Sequence, residues 1–335
     1  MPLLSFDDLK MNRISLADLP DRAQLMRRVD RKFRIGAEHL DLLFRLITPH
    51  YNLVQAGTQD SSLYINRYWD GIDRPFFHAH RVRKPRRYKF RQRTYAADGM
   101  SFWELKERLA TGYTRKTRLE VGSSMQADGP SMQADRPSMQ ADGPSMQADG
   151  ASMQADRPPM HADGAQVALN RLWNRVGMDP PADLQPALDI HYKRLSFVHN
   201  NGHERLTLDY DLCLSRPIIN AEQGDDTPQT SSLSFPPTES TEAAQTWLCS
   251  RDLYILELKQ DRPGPSILDP LRQSRSLQAI SFSKYYMGSL LWQAHEQNHQ
   301  AVRAIPTRIG YGRAWTMNPT QYPLNNESYL ISPGQ

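Results

Sequence analysis

Between Arg81 and Arg93 the chain reads RVRKPRRYKFRQR, eight basic residues and no acidic one. From Tyr88 onward it alternates as a strand does, with Lys89, Arg91 and Arg93 on one face and Tyr88, Phe90 and Gln92 on the other. Cations at that spacing repel one another unless a polyanion lies along the face. The pattern recurs. In Phe102–Arg108 (FWELKER), Glu104, Lys106 and Arg108 share a face, and Lys116 and Arg118 share another soon after. Lys32, Arg194, Arg205 and the pair Glu257 and Lys259 are placed in the same one-sided way in their own segments. Arg gives bidentate contacts to phosphate and Lys gives point charges. A carboxylate among them suits a divalent metal that bridges phosphate oxygens. One such strand is an ordinary solvated face. Repetition in at least six strands, each with an apolar opposite face, points to a shared phosphate-binding surface.

Several elements must hold those faces together. Arg27–Ile35, Tyr64–Asp70, Leu188–Phe197, Arg205–Leu214 and Asp252–Lys259 read as strands, the third and fourth joined through the turn at Asn200, Asn201 and Gly202. On Arg205–Leu214 the polar face is Arg205, Thr207, Asp209 and Asp211. Glu38–Ile47 has Leu40, Leu43, Leu46 and Ile47 at helical spacing. Leu169–Val176 forms a short helix, and Ile267–Ile280 and Lys284–Gln297 read as helical. Phe76–Arg81 leads into the basic stretch, and residues 1–26 read as helical or irregular. If the strands close into a barrel, alternate residues line its lumen.

The 335 residues allow one large domain or two small ones, and the net charge of +4 is mild. Charge concentrated on a mildly basic chain indicates a site rather than a general nucleic-acid coat. Tyr88, Phe90 and Tyr95 interleave with the cations, but that aromatic row is expected to face away from them, which is wrong for base stacking in one groove. No nucleic-acid partner is expected. The only cysteines, Cys213 and Cys249, lack CxxC spacing and indicate neither a disulfide framework nor a zinc site. With no apolar h-region at the start and no run of ~18 apolar residues, a cytoplasmic protein is expected.

From Ser124 to Ala165 a seven-residue unit recurs six times, as SMQADGP, SMQADRP, SMQADGP, SMQADGA, SMQADRP and PMHADGA. Each unit has few apolar side chains and nearly every junction holds Gly or Pro, which cost a helix ~1–3 kcal/mol apiece. The period of seven is therefore no coiled coil. It reads as a disordered insertion that cannot offset its chain entropy by burial.

RVDRKF, YINRYWD, RYKFRQRTY, WELK, TRKTR, HYKRLSF, RLTLD, LYILELK and FSKYYMG stand in the order of the vacuolar transporter chaperone (VTC) domain. The chain resembles that polyphosphate polymerase domain of the triphosphate tunnel metalloenzyme superfamily over roughly residues 24–122 and 165–290. The resemblance implies an α+β fold, an eight-stranded antiparallel β-barrel open at both ends with helices packed outside. It implies a lead-in at 1–23, a tunnel domain at 24–300 interrupted at 123–165 and 217–247, and a tail at 301–335. It also implies transfer of the γ-phosphate of ATP to a growing inorganic polyphosphate. Triphosphate hydrolysis and non-catalytic polyphosphate binding are the alternatives. Carried over by motif, Lys32, Arg91, Arg93, Lys106, Lys116, Arg194, Arg205 and Lys284 bind the triphosphate or polyphosphate. Arg91, Arg93, Lys106, Arg194 and Arg205 are the catalytic cations of that set. Lys89, Arg118 and Lys259 complete the phosphate-binding face. Ser283 gives a phosphate hydrogen bond, and Glu257, helped by Glu104, holds Mn²⁺ or Mg²⁺. YWDG at Tyr68–Gly71 replaces the family's usual Tyr-Phe-Asp-Thr. Ser281 stands where the eukaryotic polymerase form carries another Lys, which bears on how a growing chain is held.

Overall fold

The structure is a computed structural model that describes residues 9–16, 18–19, 29–121, 162–174, 176, 178–217, 247–250, 252–262, 264–296 and 316–317. Its strands are β1 (Arg13–Ser15), β2 (Val29–Ile35), β3 (Tyr51–Gln55), β4 (Ser61–Gly71), β5 (Arg87–Tyr95), β6 (Ser101–Arg108), β7 (Thr114–Glu120), β8 (Leu184–His199), β9 (Glu204–Ser215), β10 (Leu248–Ser250), β11 (Tyr254–Gln260), β12 (Leu277–Ala279) and β13 (Thr316–Met317). The helices are α1 (Leu40–Ile47), α2 (Pro75–Arg81), α3 (Ala162–Trp173), α4 (Asp269–Gln273) and α5 (Lys284–Glu296).

One hydrogen-bonded path runs β12-β2-β11-β9-β8-β4-β5-β6-β7, antiparallel at every step. Alternation explains how it packs. In β11, Tyr254, Leu256 and Leu258 are buried with Leu206 and Leu208 of β9, beneath Leu40, Leu43, Phe44 and Ile47 of α1. Each such side chain contributes about 1.5–3 kcal/mol when fully buried. A second apolar layer joins α2, α3 and α5 to β4, β5, β6 and β8, with Trp103 packed against both Trp69 and Phe90. Gly288 lets α5 approach β8, since a Cβ there would lie 2.7 Å from Leu188 Cδ2. The opposite face of the sheet is left to the charged residues.

Several expectations change. The path ends at β7 and β12, and no pairing joins those edges among the described residues, so hydrogen bonds do not close an eight-stranded barrel. Ile267–Ile280 is not one helix: α4 stops after Gln273, Arg275 takes a φ of 60°, and Leu277 pairs with Ile35 to extend the sheet. Phe76–Arg81 belongs to a helix, started by Pro75 at its first turn. β1, β3 and β10 are too short to stand out by alternation. Cys213 and Cys249 form a disulfide, because β10 pairs with β9 and sets them opposite each other at a Cα–Cα distance of 4.1 Å. Sequence spacing could not reveal that pairing. α3 begins inside the last repeat unit, and Ala165 is buried beside Ala168 and Leu169. The rest of the repeat, the segment 220–246, most of the lead-in and nearly all of the tail lie outside the described residues. No helix among the described residues is long and apolar enough to cross a membrane.

Asp70 ties the helices to the end of β4. Its buried carboxylate accepts the backbone N–H groups of Gly71, Phe76 and Phe77 and the hydroxyl of Tyr285 on α5. Asp70→Ala orphans these donors together, and each orphan costs about 1–3 kcal/mol. Chemical denaturation of this variant is expected to lose on the order of 3 kcal/mol or more. A loss below about 1 kcal/mol would mean that α2 and α5 do not depend on this carboxylate.

Candidate functional site: a cationic concave face

Strand alternation sends Lys89, Arg91 and Arg93 of β5 to the side of the sheet that also receives Glu104 and Lys106 of β6 and Lys116 and Arg118 of β7. Glu104 is the centre of this half. Its Oε2 accepts Arg91 Nε at 2.8 Å and Arg91 Nη2 at 2.6 Å, while Oε1 meets Lys116 Nζ at 2.6 Å. Arg93 and Arg118 stand at 3.8 and 3.6 Å. Burial would raise the Glu104 pKa; Lys116, Arg93, Arg91 and Arg118 together hold it well below the usual carboxylate range. The arginines are themselves positioned. Arg91 donates to the Tyr68 hydroxyl, and Arg93 to Asn66 Oδ1 and the Tyr192 hydroxyl. Arg118 donates to Tyr95 and lies over the Phe102 ring. Tyr95 thus faces the cations, unlike Tyr88 and Phe90, because it is two residues from Arg93 and shares its parity.

Glu257 centres the other half. It pairs with Lys32, its neighbour in the β2–β11 ladder, and stands opposite Thr207 of β9. Burial again opposes ionisation, and Lys32, Lys259, Arg194 and Lys106 overcome it to hold Glu257 well below the usual range. Lys106 belongs to β6, five steps from β11 along the sheet path. Its charge reaches Glu257 only because the sheet curls until its two halves face each other. Lys89 is pushed well down by burial and then by Lys106, Lys32, Arg91 and Arg87. Lys106 meets water on the concave face yet is ringed by protein; this enclosure, then Lys32, lowers its pKa to about 8.

A third anchor escaped the list of candidates. Asp209 accepts Arg194 Nε at 2.6 Å and Nη2 at 3.0 Å and also takes Lys284 at the start of α5. The alternation with Arg205 and Thr207 marked Asp209 as polar, but its two cations come from β8 and α5. Asp211, expected on the same face, instead has a φ of 49° and pairs with Lys193 across an irregularity in the β8–β9 register. Arg205 and Lys259 are buried opposite each other on the shared face. Ser283 caps α5, accepting the Tyr286 N–H at 3.3 Å. The described residues contain no group of three or more His, Cys, Asp or Glu that could hold a metal by itself.

The VTC domain profile matches residues 27–293, about four-fifths of the sequence. The chain belongs to the VTC domain family. None of the curated proteins matches it. Solved structures with a similar trace include an adenylyl cyclase candidate from Hippeastrum, described as having a dominant triphosphatase activity. That match has 13% identity and a TM-score of 0.39, and covers 78% of this chain and 94% of the other. A protein from Pyrococcus horikoshii follows at 11% identity and a TM-score of 0.36, with coverages of 81% and 99%.

Two outcomes follow from the charge balance of this VTC domain. Glu104→Gln removes the carboxylate from among Arg91, Arg93, Lys116 and Arg118. The ligand-free variant is expected to melt several degrees lower and to recover most of that loss in saturating tripolyphosphate, since a ligand bound only by the folded state stabilises it. Equal melting of variant and parent without ligand would contradict this account.

Lys106 and Lys89 are less basic folded than unfolded, where a lysine titrates near 10.4. Between about pH 8 and pH 10 the unfolded chain therefore binds more protons, and ligand-free stability rises with pH in that window. A polyanion restores the charged form. Binding of tripolyphosphate at about pH 9 is expected to take up protons, read by calorimetry in buffers of different ionisation enthalpy. No uptake would remove both lysines from the site.

Proposed function

We propose that this VTC domain is a metal-dependent polyphosphate polymerase that uses ATP as phosphoryl donor. The observation that carries the reading is a cationic concave face on which Lys89 and Lys106 stand directly opposite each other in the β5–β6 ladder, both less basic than an ordinary lysine even though Glu257 and Asp30 act on Lys106. Such an arrangement is costly unless an extended polyanion lies along it. In this reading the two halves of the sheet wrap the chain as a tunnel. The terminal oxygen of the acceptor polyphosphate forms a bond to the γ-phosphorus of ATP as the bond to the bridging oxygen breaks, and ADP leaves with that oxygen. Phosphoryl transfer asks the protein for alignment and charge neutralisation rather than covalent help. Arg91, Arg93 and Arg194, each fixed by hydrogen bonds, hold phosphate oxygens bidentately. Lys32, Lys106, Lys116 and Lys284 add point charges from the surrounding strands and α5.

Mn²⁺ or Mg²⁺ fits at Glu257. The carboxylate is ionised, and the buried Thr207 Oγ1 opposite it has no hydrogen-bond partner. With one carboxylate available, the remaining ligands would be phosphate oxygens and water, as is usual for Mg²⁺ at substrate phosphates. When bound, the ion neutralises charge developing on the phosphoryl oxygens. Glu104, with Arg91, Arg93, Lys116 and Arg118 all within 4 Å, is the poorer ligand. Triphosphate hydrolysis at the same site is the second reading.

The test is incubation of the protein with ATP and Mn²⁺ followed by gel separation. A ladder of polyphosphate supports polymerisation, free phosphate supports hydrolysis, and neither product rejects both. Glu257→Gln is expected to lower turnover by two or more orders of magnitude while metal-free polyphosphate binds as well or better. Equal loss of affinity and turnover would reduce Glu257 to a partner of Lys32.

A further inference from the structure

The arginines at one end of β5 and β6 are sorted by the side they face. Arg86 and Arg115 reach Glu107, at 2.7 and 2.5 Å, on the helix-covered side of the sheet. Arg87 and Arg108 share the parity of Lys89, Arg91, Lys106 and Glu104 and stand directly opposite each other in the ladder. They form an outermost rung on the concave side. Arg83 adds a third charge from the turn after α2, where its φ is 54°. No carboxylate lies within ion-pair distance of these three arginines among the described residues. Like charges opposed across a ladder destabilise it unless a counter-charge is supplied. Burial, then Arg108 and Arg83, makes Arg87 less basic than usual.

The β6–β7 turn passes through Gly112, whose φ of 88° suits glycine. Arg87 is four residues from Arg91, about 14 Å at the rise of an antiparallel strand. The Lys89–Lys106 rung lies between them. In the phosphate-binding reading, a short triphosphate held by the cations around Glu104 and Glu257 would end before this outer rung, whereas a longer phosphoanhydride chain would continue onto it.

We propose that Arg83, Arg87 and Arg108 form an outer anion subsite that receives the part of a linear polyphosphate extending beyond the Glu104–Glu257 centre, and so sets a preference for long chains. The inference rests on the phosphate-binding reading of the concave face. It adds a chain-length selector at a place distinct from the chemistry.

The test uses the full chain and the double variant Arg87→Ser with Arg108→Ser. Tripolyphosphate, long-chain inorganic polyphosphate and a single-stranded oligonucleotide are titrated over a range of salt concentrations. The parent is expected to bind long-chain polyphosphate about tenfold or more tighter than tripolyphosphate, and the variant to lose that advantage with tripolyphosphate affinity unchanged. The salt slope for the long chain should fall by about two, one for each phosphate contact removed. Retention of the advantage, or equal loss for both ligands, overturns the subsite. So does a loss confined to the oligonucleotide, which would make the rung a nucleic-acid surface. Failure of the parent to bind either phosphate overturns the function proposed above and the subsite with it; a parent that binds both equally overturns the subsite alone. Arg87→Gln, a single change on a half-buried side chain, gives the same comparison if the double variant folds poorly.

Discussion

Enclosing like charges on one side of a curved sheet is the constraint on which this structure depends. Curling brings the cations of β5, β6 and β7 toward those of β2 and β11, and their repulsion grows in a setting less polar than bulk water. Three carboxylates from three strands hold the arrangement: Glu104 on β6, Asp209 on β9 and Glu257 on β11. Each is held ionised by cations from neighbouring elements, two at Asp209 and four at Glu104 and at Glu257. They do not neutralise the face. They anchor Arg91 and Arg194 in fixed orientations and leave Lys89 among like charges, with Lys106 only in part compensated by Glu257. A face built this way stores electrostatic work, which under the proposed function a polyanion would release on binding.

The apolar layers make that possible. Leu, Ile and aromatic residues on the opposite parity of the same strands pack under α1 and α4 on one half, and under α2, α3 and α5 on the other. The two systems are joined at a few points. Asp70 connects the end of β4 to the starts of α2 and α5, and Tyr285, held by Asp70, stacks on Tyr68, which in turn accepts a hydrogen bond from Arg91. The residue before Tyr285 is Lys284, which reaches Asp209. Helix packing on one side of the sheet thereby fixes two cations on the other.

Charge is graded along the concave face. Around Glu104 and Glu257 the cations are paired and partly shielded; toward Arg87 and Arg108 they are not. In the proposed function, a linear polyanion, with the same repeating charge all along its length, would meet a centre where its groups are oriented and a margin where they are attracted only. That gradient follows from strand parity and the positions of the acidic residues.

Much of the site was legible in the sequence because a strand alternates with period two, and parity alone assigns Lys89, Arg91, Arg93, Glu104, Lys106, Lys116, Arg118, Glu257 and Lys259 to their face. The same rule, applied consistently, also gives Tyr95. The motifs in their order indicated the VTC family, and the amphipathic pattern of Glu38–Ile47 indicated α1. Tertiary structure decided what depends on partners distant in the chain. Asp209 became an anchor because β8 and α5 deliver Arg194 and Lys284 to it, and Cys213 met Cys249 because β10 pairs with β9. Leu277 left a helical pattern for a strand because the edge of β2 offered unpaired backbone groups. The register shift beside Tyr192 redirected Asp211. Periodicity is local and survives in the sequence; pairing, curvature and the company a charge keeps are long-range, and only the folded chain specifies them.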